Sequence, residues 1–530
     1  MRLKYYGIPI ISILTLIVFM VSCTADEWDK HYNSPAANKS ELNLYEYIES
    51  RQELSTFAKM LKKVGYDSIL NSSQTFTVWA PNDSALLGVD TTDLTLVKNI
   101  VTNHIARFSF PTSGISNKMI LMMDNKLIPF TKNGSSYTFG EKPIIKVESD
   151  IATSNGIVHM LSEYVPYKQN LWEFIKEANG VDSLKNYINS LTILMLDNSK
   201  SYHNGVFVDS VMMSTNYVFD NLAALNKEDS IYTAILPDNS AWTEAYNRIK
   251  LYYNTLNADG GVFVQRLLTK QTLVQDLFFR GKKTLPIVED SLKSTGGNSF
   301  ADPSRLFANS QLNEMSNGYS YVTDILKYPA TESWFKTIKV EAESTQFGRS
   351  VLNFAPSAVA SIGSGLDISN GNYLTLRSTT QAASAMLYAN FPIPYTLSAK
   401  YNIYCVFVPT TIVSPTDVRP NKVRFYLTYM NSAGNQVNYA NIDENNNVLS
   451  TAIPKRSAIF TTDGTQITKM LVAKDFVFPY CNLIYSNNLD ISSSLTVALK
   501  VENATGVTGA ETANFNRDLR IDCIILEPVQ

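Results

Sequence analysis

Side chains that commonly carry out catalysis are sparse in this 530-residue sequence and do not fall into catalytic spacings. The four histidines lie in separate segments, so few histidines are available to form a Ser-His-Asp or Cys-His catalytic site. H-E-x-x-H and G-x-S-x-G are absent, and Arg280–Thr284 is preceded by Asp276 where a phosphate loop requires glycine. The 48 acidic residues leave glycoside cleavage by paired carboxylates open, but no spacing selects a pair. The sequence therefore predicts a protein that is not an enzyme, with a glycoside-active enzyme as the least favoured alternative.

Cys23 is positioned for modification, because it follows a short basic start and an apolar run, Ile8–Val21. At about 1.5 Å per residue, a helix of this length reaches about 21 Å, which is short of the roughly 30 Å hydrocarbon core of a membrane. Residues 1–22 are therefore predicted to be a cleaved export signal rather than a membrane-spanning helix.

The Ser22-Cys23 junction resembles the lipobox of bacterial lipoproteins, with Met20 standing where leucine is usual. The resemblance implies that Cys23 is diacylated and becomes the first residue of the mature protein. An ordinary secretory signal with a chance cysteine is the alternative. The acidic stretch after Cys23, within 24–29, resembles the export tag of Bacteroidota surface lipoproteins. It implies a lipid-anchored location on the outer face of the outer membrane.

The composition is that of a globular protein, with 45% hydrophobic and 18% charged residues. A length prior of roughly 150 residues per domain suggests about three domains. The formal net charge of −3 excludes a strongly basic protein of the kind that binds nucleic acid. Cys405 and Cys523 lie in strand-like runs, so we expect buried free thiols rather than a disulfide. Together with Cys481 they make three cysteines after Cys23, an odd number that cannot be fully paired.

Two sequence blocks in the first third of the chain carry a family resemblance. A tether, 23–41, precedes a segment of helical spacing over 42–70 and then the block 74–86, which reads QTFTVWAPNDSAL and predicts a buried strand followed by a helix from Ala85. The second block, 149–161, reads SDIATSNGIVHML and predicts a turn at Asn155-Gly156 feeding a strand. Both blocks resemble the signature stretches of fasciclin domains, which implies a wedge of β-sheet with packed helices.

Both blocks recur later in the same order. Residues 232–242, YTAILPDNSAW, repeat the first block, and residues 316–324, SNGYSYVTD, repeat the second. An ordered pair of repeats is more specific than either block alone. We therefore predict two tandem fasciclin-like domains, at 42–168 and 169–331.

From Ile338 the pattern changes to short alternating strands separated by Asn, Ser, Gly and Pro, which predicts an all-β sandwich or jelly roll over 338–530. The predicted fold class is thus α+β, with two fasciclin-like domains followed by this sandwich. Glu341 and Glu343 are two residues apart, so in a strand both carboxylates point to one face. The first and last strands resemble those of galactose-binding-like carbohydrate modules. That resemblance implies a structural calcium ion held by Glu341, Glu343 and Asp522; a solvated acidic edge is the alternative.

Two further sets of residues are candidates for binding. His104 matches the histidine of a Tyr-His pair that binds partners in many fasciclin domains, but Asn103 replaces the tyrosine, so a structural role is the favoured alternative. His159 is expected to be a buried, hydrogen-bonded residue. The sandwich has no tryptophan, so sugar stacking would rest on tyrosines, which the sequence does not rank. They are Tyr373, Tyr388, Tyr395, Tyr439 and Tyr485.

These features predict a non-catalytic lipoprotein on the cell surface. The domain architecture resembles that of accessory lipoproteins of SusC/SusD-like nutrient importers, which implies transporter proteins as partners and a polysaccharide as ligand. The alternative is an adhesin that binds host matrix or neighbouring cells through its fasciclin domains. No nucleic-acid partner is expected.

Overall fold

The computed structural model describes residues 39–443, 448–450, 458–482 and 497–530. Cys23, the signal and most of the tether lie outside these residues, so their assignments stay predictions. The chain divides into two compact units. The first runs to Asn170 and includes 227–230 and 315–317, and the second holds the remainder of 171–530. Among the described residues, no helix has the length and apolar character needed to cross a membrane.

The first repeat is built around a central pair of parallel strands, β1 and β8. Its helices and strands are α1 (Leu44–Ser50), α2 (Ser55–Lys63), α3 (Tyr66–Leu70), β1 (Phe76–Pro81), α4 (Leu94–Thr102), β2 (Ile105–Arg107), β3 (Asn117–Leu121), β4 (Leu127–Asn133), β5 (Ser136–Phe139), β6 (Lys142–Pro143), β7 (Ile151–Thr153) and β8 (Gly156–Leu161). β1 is buried along its whole length, as expected for an apolar strand covered on both faces. One face packs under the helices, and the other packs on the sheet β3-β4-β5-β6, where Trp79 stacks on Phe139.

The predicted turn at Asn155-Gly156 joins β8 to the helices. The Oδ1 atom of Asn155 accepts the N–H of Leu44 at 2.8 Å, and its Nδ2 donates to the carbonyl of Leu70 at 2.7 Å. A Cβ atom on Gly156 would lie 2.1 Å from the carbonyl oxygen of Phe76. Only glycine fits where β8 begins to pair with β1, which explains the Asn-Gly pair in this sequence block.

The second repeat has the same arrangement of central strands, in the order β14-β13-β18-β17. Its elements are α5 (Leu171–Glu177), α6 (Asp182–Ser190), β9 (Thr192–Leu196), α7 (Asn198–Ser201), β10 (Tyr202–His203), β11 (Val206–Phe207), β12 (Met212–Asn216), β13 (Tyr232–Pro237), α8 (Asn239–Ile249), α9 (Gly261–Gln275), β14 (Phe278–Arg280), β15 (Ser291–Lys293), β16 (Ser299–Ala301), α10 (Ser304–Phe307), β17 (Ser310–Met315) and β18 (Gly318–Thr323). Tyr232 pairs with Gly318 as Phe76 pairs with Gly156. The two repeats therefore share one register between their parallel strands.

The residues after the first block form different structures in the two repeats. Asn82 accepts the N–H of Ala85 at 2.9 Å in a turn that ends near Gly88, whose φ of 83° is left-handed. The helix predicted to begin at Ala85 is therefore wrong for the first repeat. At the equivalent place in the second repeat, Asp238 accepts the N–H of Ala241 at 2.8 Å and begins α8. The polar residue that follows the strand caps a helix only where the chain continues in helical conformation.

The C-terminal part is a sandwich of two sheets whose described strands all pair antiparallel. Its elements are β19 (Ile338–Glu341), β20 (Ser350–Leu352), β21 (Phe354–Ala360), β22 (Asn372–Ser378), β23 (Leu387–Pro392), β24 (Lys400–Phe407), β25 (Lys422–Met430), β26 (Gln436–Ile442), β27 (Val448–Ser450), β28 (Phe460–Thr461), β29 (Thr468–Val477), β30 (Ala498–Asn503), α11 (Gly509–Asn514) and β31 (Leu519–Pro528). One sheet has the order β21-β22-β31-β24-β29 with β19 beside β31, and the other β20-β23-β30-β25-β26-β27 with β28 beside β25. The α+β fold class, ending in a sandwich, is confirmed.

Within the second unit, the sandwich is hydrogen-bonded to the second repeat. Ser398 donates its N–H to the carbonyl of Tyr252 at 2.9 Å, and Asn254 donates Nδ2 to the carbonyl of Pro479 at 2.8 Å. Cys481 donates its N–H to the carbonyl of Asn254 at 2.8 Å. We call these contacts the Asn254 seam.

The three described cysteines are free thiols, with Cys405 and Cys523 buried, as expected from the strand-like runs around them. Burial raises the pKa of the Cys523 thiol to about 12, and the neighbouring acids Asp522 and Glu341 add to this effect. The thiol therefore stays neutral.

Candidate functional site

Strand β30 places charged side chains on the face of its sheet that points away from the sandwich core. Because successive strand residues point to opposite faces, Leu499 and Val501 enter the core while Lys500 and Glu502 lie on the other face. On that face, Lys500 is opposite Asn390 and Tyr426, and Glu502 is opposite Tyr388 and Arg424. We call this set, together with Tyr439, the Lys500 cluster: Lys500, Glu502, Tyr388, Tyr426, Tyr439, Asn390 and Arg424.

Lys500 is held by aromatic rings and one carboxylate. Its Nζ lies 3.8 Å from the ring centroid of Tyr426 and 4.9 Å from the centroids of Tyr388 and Tyr439. Glu502 Oε2 is 3.2 Å from the same Nζ, and the Tyr426 hydroxyl donates to Glu502 Oε1 at 3.1 Å. Both charged residues are more than nine-tenths buried. A buried ion pair needs such partners, because the desolvation of each charge is costly.

The hydroxyls of Tyr426 and Tyr439 stay protonated. Burial, followed by the charge of Glu502, raises the pKa of Tyr426 to about 12. Burial also raises the pKa of Tyr439, with a further contribution from Tyr388. Each phenol can therefore donate a hydrogen bond at neutral pH.

Tyr439 reaches the cluster through an irregular strand. The pairing of β25 with β26 shifts register between Leu427 and Tyr429, and Tyr439 opposite this bulge has a φ of 54°. A bulky residue in the left-handed region is strained, and such strain often accompanies function. The Tyr439 side chain is 44% exposed. The bulge thus presents one ring of the cluster to solvent.

The same face has buried polar atoms that lack hydrogen-bond partners among the described residues. They are Asn390 Oδ1, Asn441 Oδ1 and Arg424 Nε. Asn441 pairs with Tyr426 across β25 and β26, which puts its amide beside the cluster. Two acceptors and one donor are therefore buried without described partners near the tyrosine rings that surround Lys500. Sugars require this combination, since their C–H faces pack on aromatic rings and their hydroxyls need polar partners.

The predicted metal ligands lie on the opposite sheet, where Glu341 of β19 is close to β31, the last strand of the chain. The ligand-capable atoms of Glu341, Asp522 and Cys523 lie within 4.8 Å of one another. Ser369 joins the group by donating its N–H to Asp522 Oδ1 at 3.1 Å and its Oγ–H to Glu341 Oε1 at 2.7 Å. β19 ends at Glu341, so strand alternation does not orient Glu343 as predicted. Glu343 instead lies in the following turn and accepts from Asn370 Nδ2 at 3.3 Å.

These residues fit a hard cation such as calcium. Glu341 Oε2 and Glu343 Oε2 are buried and lack partners within the described chain. Burial, and then the charges of Glu341 and Glu343, raise the pKa of Asp522 to about 6. Carboxylate oxygens are calcium ligands, whereas the neutral thiol of Cys523 is not. Two protein cations are already near this group, since Lys339 Nζ lies 3.1 Å from Ser369 Oγ and the Arg349 guanidinium interacts with the charge of Glu343.

His104 has the contacts of a structural residue, the alternative that the sequence favoured over partner binding. The ring is fully buried, its Nδ1 lies 2.6 Å from the carbonyl oxygen of Ile100, and its Nε2 accepts the N–H of Val165 at 2.9 Å. Burial lowers its pKa to about 4. Because both ring nitrogens make hydrogen bonds within the first repeat, neither is free to bond a partner protein. His159 is also buried, with Nε2 2.9 Å from the carbonyl oxygen of Phe110.

The structure separates the candidate tyrosines. Tyr388 and Tyr439 lie in the Lys500 cluster, Tyr373 is buried, Tyr395 contacts Phe347, and Tyr485 lies outside the described residues. Sequence reasoning missed the central residues of the cluster, namely Lys500, Glu502, Tyr426 and Arg424. The available signal was the alternation Leu-Lys-Val-Glu at 499–502, which puts charges at regular intervals in an otherwise apolar strand.

One family model and several solved structures are similar to parts of this chain. The family model of the fasciclin domain matches residues 52–165, so the chain contains a fasciclin domain there. Among solved structures, the FAS1 domain pair of the insect cell adhesion molecule fasciclin I is 13% identical, and the match covers 53% of this chain and 98% of that chain with a TM-score of 0.21. No curated protein matches the sequence.

Two carbohydrate-related structures are also similar. The C-terminal family 22 carbohydrate-binding module of a Clostridium thermocellum protein is 13% identical, with 34% of this chain and 90% of that chain covered and a TM-score of 0.20. An exo-β-1,3-galactanase from Phanerochaete chrysosporium is 9% identical, with 36% of this chain and 29% of that chain covered and a TM-score of 0.15.

Proposed function

We propose that this chain is a non-catalytic surface lipoprotein that binds a polysaccharide through the Lys500 cluster. The observation that carries this proposal is the combination of tyrosine rings around Lys500 with the unpartnered polar atoms of Asn390, Asn441 and Arg424. A sugar bound on this face would stack on the exposed ring of Tyr439, with those buried polar atoms beneath it. Lys500 and Glu502 are already paired, so their role is to hold the tyrosines in place.

Binding of soluble polysaccharides in affinity gels and by calorimetry tests this proposal. Tyr439→Ala should weaken binding about 5- to 150-fold, taking for a sugar on this ring the ~1–3 kcal/mol that a base gains by stacking on an aromatic side chain. Tyr395→Ala is the matched control. Tyr395 lies in the same sandwich, is 45% exposed against 44% for Tyr439, and has a φ of 59° against 54°. Equal losses in the two variants, or no loss in Tyr439→Ala, would reject the cluster as the sugar site.

The second part of the proposal is that the protein is an accessory of a SusC/SusD-like uptake complex. A lipid on Cys23 would hold it at the outer membrane, and the fasciclin domains would contact the transporter while the sandwich takes the ligand. Co-purification from detergent extracts should recover a transporter and its lid protein with the wild-type chain. Cys23→Ala should release the protein from the outer-membrane fraction, and retention there would contradict lipid anchoring.

Adhesion is the second candidate function, and the fasciclin domain at 52–165 favours it. Under this alternative, the purified chain binds immobilised matrix proteins without polysaccharide. The Tyr439→Ala variant distinguishes the two functions, since it should leave adhesion unchanged. Matrix binding without recovery of a transporter would favour the adhesin.

A further inference from the structure

A two-stranded ribbon of the second repeat exposes an unusual amount of apolar surface. β9 (Thr192–Leu196) pairs with β12 (Met212–Asn216), and the short pair β10 and β11 lies between them in sequence. Nine large apolar residues of this segment are between 43% and 67% exposed: Ile193, Leu194, Met195, Tyr202, Val206, Phe207, Val208, Met212 and Met213. Monomeric proteins rarely expose contiguous apolar patches of this kind without a partner. We call residues 192–216 the apolar ribbon.

The fasciclin arrangement does not require the apolar ribbon. Asp83 accepts the N–H of Thr56 at the start of α2, and Asn239 accepts the N–H of Ser183 at the start of α6, so these two helices are equivalent. In the first repeat, residues 64–75 connect the helix to the central strand, whereas residues 191–231 make the same connection in the second. The ribbon lies within this longer connection. Its apolar side chains therefore need an explanation other than the common fold.

The edges of the ribbon are not protected against pairing. In the described part of the chain, β9 and β12 pair only with each other. Their sequences, TILML and MMSTN, contain no lysine, proline or acidic residue, the features that usually block edge-to-edge association. An isolated two-stranded sheet is also marginally stable in water, and further strands stabilise it.

We propose that a second copy of this chain covers the apolar ribbon, with β9 of one copy pairing antiparallel to β9 of the other about a two-fold axis. The nine exposed side chains present on the order of 1,000 Å² over the two faces of the ribbon together, against the roughly 800 Å² that each partner contributes to a standard interface. A two-fold axis at Leu194 puts Ile193 opposite the partner's Met195, so apolar residues meet apolar residues. The resulting four-stranded sheet satisfies the free edges of both β9 strands.

Light scattering after size exclusion tests the proposal on residues 24–530, which keep every described residue and omit only the predicted signal and Cys23, the predicted lipidation site. The wild-type chain should have twice the monomer mass at about 10 μM, since an interface of this size binds with a micromolar or tighter dissociation constant. Leu194→Lys should shift the mass to that of the monomer. Val288→Lys, at a residue that is 89% exposed elsewhere in the same unit, should leave the dimer intact.

A cysteine variant tests the geometry. Leu194→Cys should form a disulfide with its own copy under mild oxidation, because residues opposite each other in an antiparallel pair have Cβ atoms about 4.5–5.5 Å apart. Ser190→Cys, just before β9, is the control that should cross-link at least tenfold more slowly. Circular dichroism confirms that each variant is folded, and Met213→Lys replaces Leu194→Lys if the latter is not.

Two results would overturn the proposal. One is a monomer at all concentrations up to about 100 μM, well above the dissociation constant expected for such an area. The other is a dimer that persists in both Leu194→Lys and Met213→Lys. Flotation with phosphatidylethanolamine and phosphatidylglycerol vesicles tests whether the ribbon binds a lipid surface instead of a second copy. A monomeric chain that floats with vesicles, and ceases to do so on Leu194→Lys, would assign the ribbon to a lipid surface instead.

Discussion

Phe108 and Gly281 occupy the same position in the two repeats, with φ angles of 74° and 78°. Each follows the arginine at the end of the strand that pairs with β1 or β13. The hydrogen bonds are also the same. The threonine Oγ of Thr77 donates to the Phe108 carbonyl at 2.8 Å, as that of Thr233 does to the Gly281 carbonyl at 2.8 Å. The fold thus imposes a left-handed residue, and the first repeat places there a phenylalanine that is 71% exposed.

We predict that Phe108→Gly stabilises the first repeat by about 1 kcal/mol, because glycine adopts this backbone without strain and little packing is lost. Gly281→Ala should destabilise the second repeat by a similar amount. A Cβ atom at Gly281 meets no heavy atom within 4 Å, so the backbone conformation alone is tested. Urea denaturation of each variant measures both effects. A loss of stability in Phe108→Gly would mean that the ring packs more than its exposure indicates.

The Lys500–Glu502 pair makes a second prediction. Lys500→Met should lower the free energy of unfolding by about 3 kcal/mol, because it leaves Glu502 buried without its closest cation. The double variant Lys500→Met/Glu502→Gln should recover part of this loss. A double-mutant cycle by urea denaturation measures the coupling between the two side chains. Additive losses would contradict a direct interaction.

The sequence predicted the parts of this protein that depend on local patterns. The Asn-Gly turns and the buried strands of both repeats followed from short blocks, since Gly156 and Gly318 meet a backbone carbonyl that leaves no room for a side chain. The Lys500 cluster could not be predicted in this way. Its residues come from four strands, β23, β25, β26 and β30, and only the register between strands brings them together. The bulge that orients Tyr439 has no sequence signal that distinguishes it from a regular strand.

His104 predicts the pH dependence of the first repeat. Its folded pKa of about 4 lies below its ordinary value of 6.5, so the unfolded state binds more protons between these two values. Stability is therefore complete above pH 6.5 and falls as the pH decreases towards 4, by up to about 3 kcal/mol from this residue. Urea denaturation between pH 4 and 7.5 measures the slope. His104→Gln should reduce the slope, and an unchanged slope would assign it to other groups.

Calcium should stabilise the sandwich if Glu341, Glu343 and Asp522 bind it. At 100 times its dissociation constant, a ligand adds about 2.7 kcal/mol, so the melting temperature should rise with calcium and fall with a chelator. Asp522→Asn should abolish the response. Asp367→Asn, an exposed acid in the same sandwich, should retain it. An unchanged melting temperature in the wild-type chain would contradict the calcium site and leave these carboxylates with protein partners such as Ser369 and Asn370.

The Asn254 seam predicts that the second repeat and the sandwich unfold together, although they differ in fold. Asn254 both accepts from Cys481 N and donates to the Pro479 carbonyl, and the ring of Phe335 contacts that of the buried Tyr401 with 5.2 Å between centroids. Calorimetry should therefore show one transition for 171–530.

Asn254→Ala should lower the free energy of unfolding by about 1 kcal/mol, because one hydrogen bond is lost while the backbone contacts remain. The transition should move to a lower temperature and should stay single. Asn514→Ala, which loses only a local bond to the Ala510 carbonyl on α11, is the control. Two transitions in the wild-type chain would contradict the coupling and would favour an independently folding sandwich.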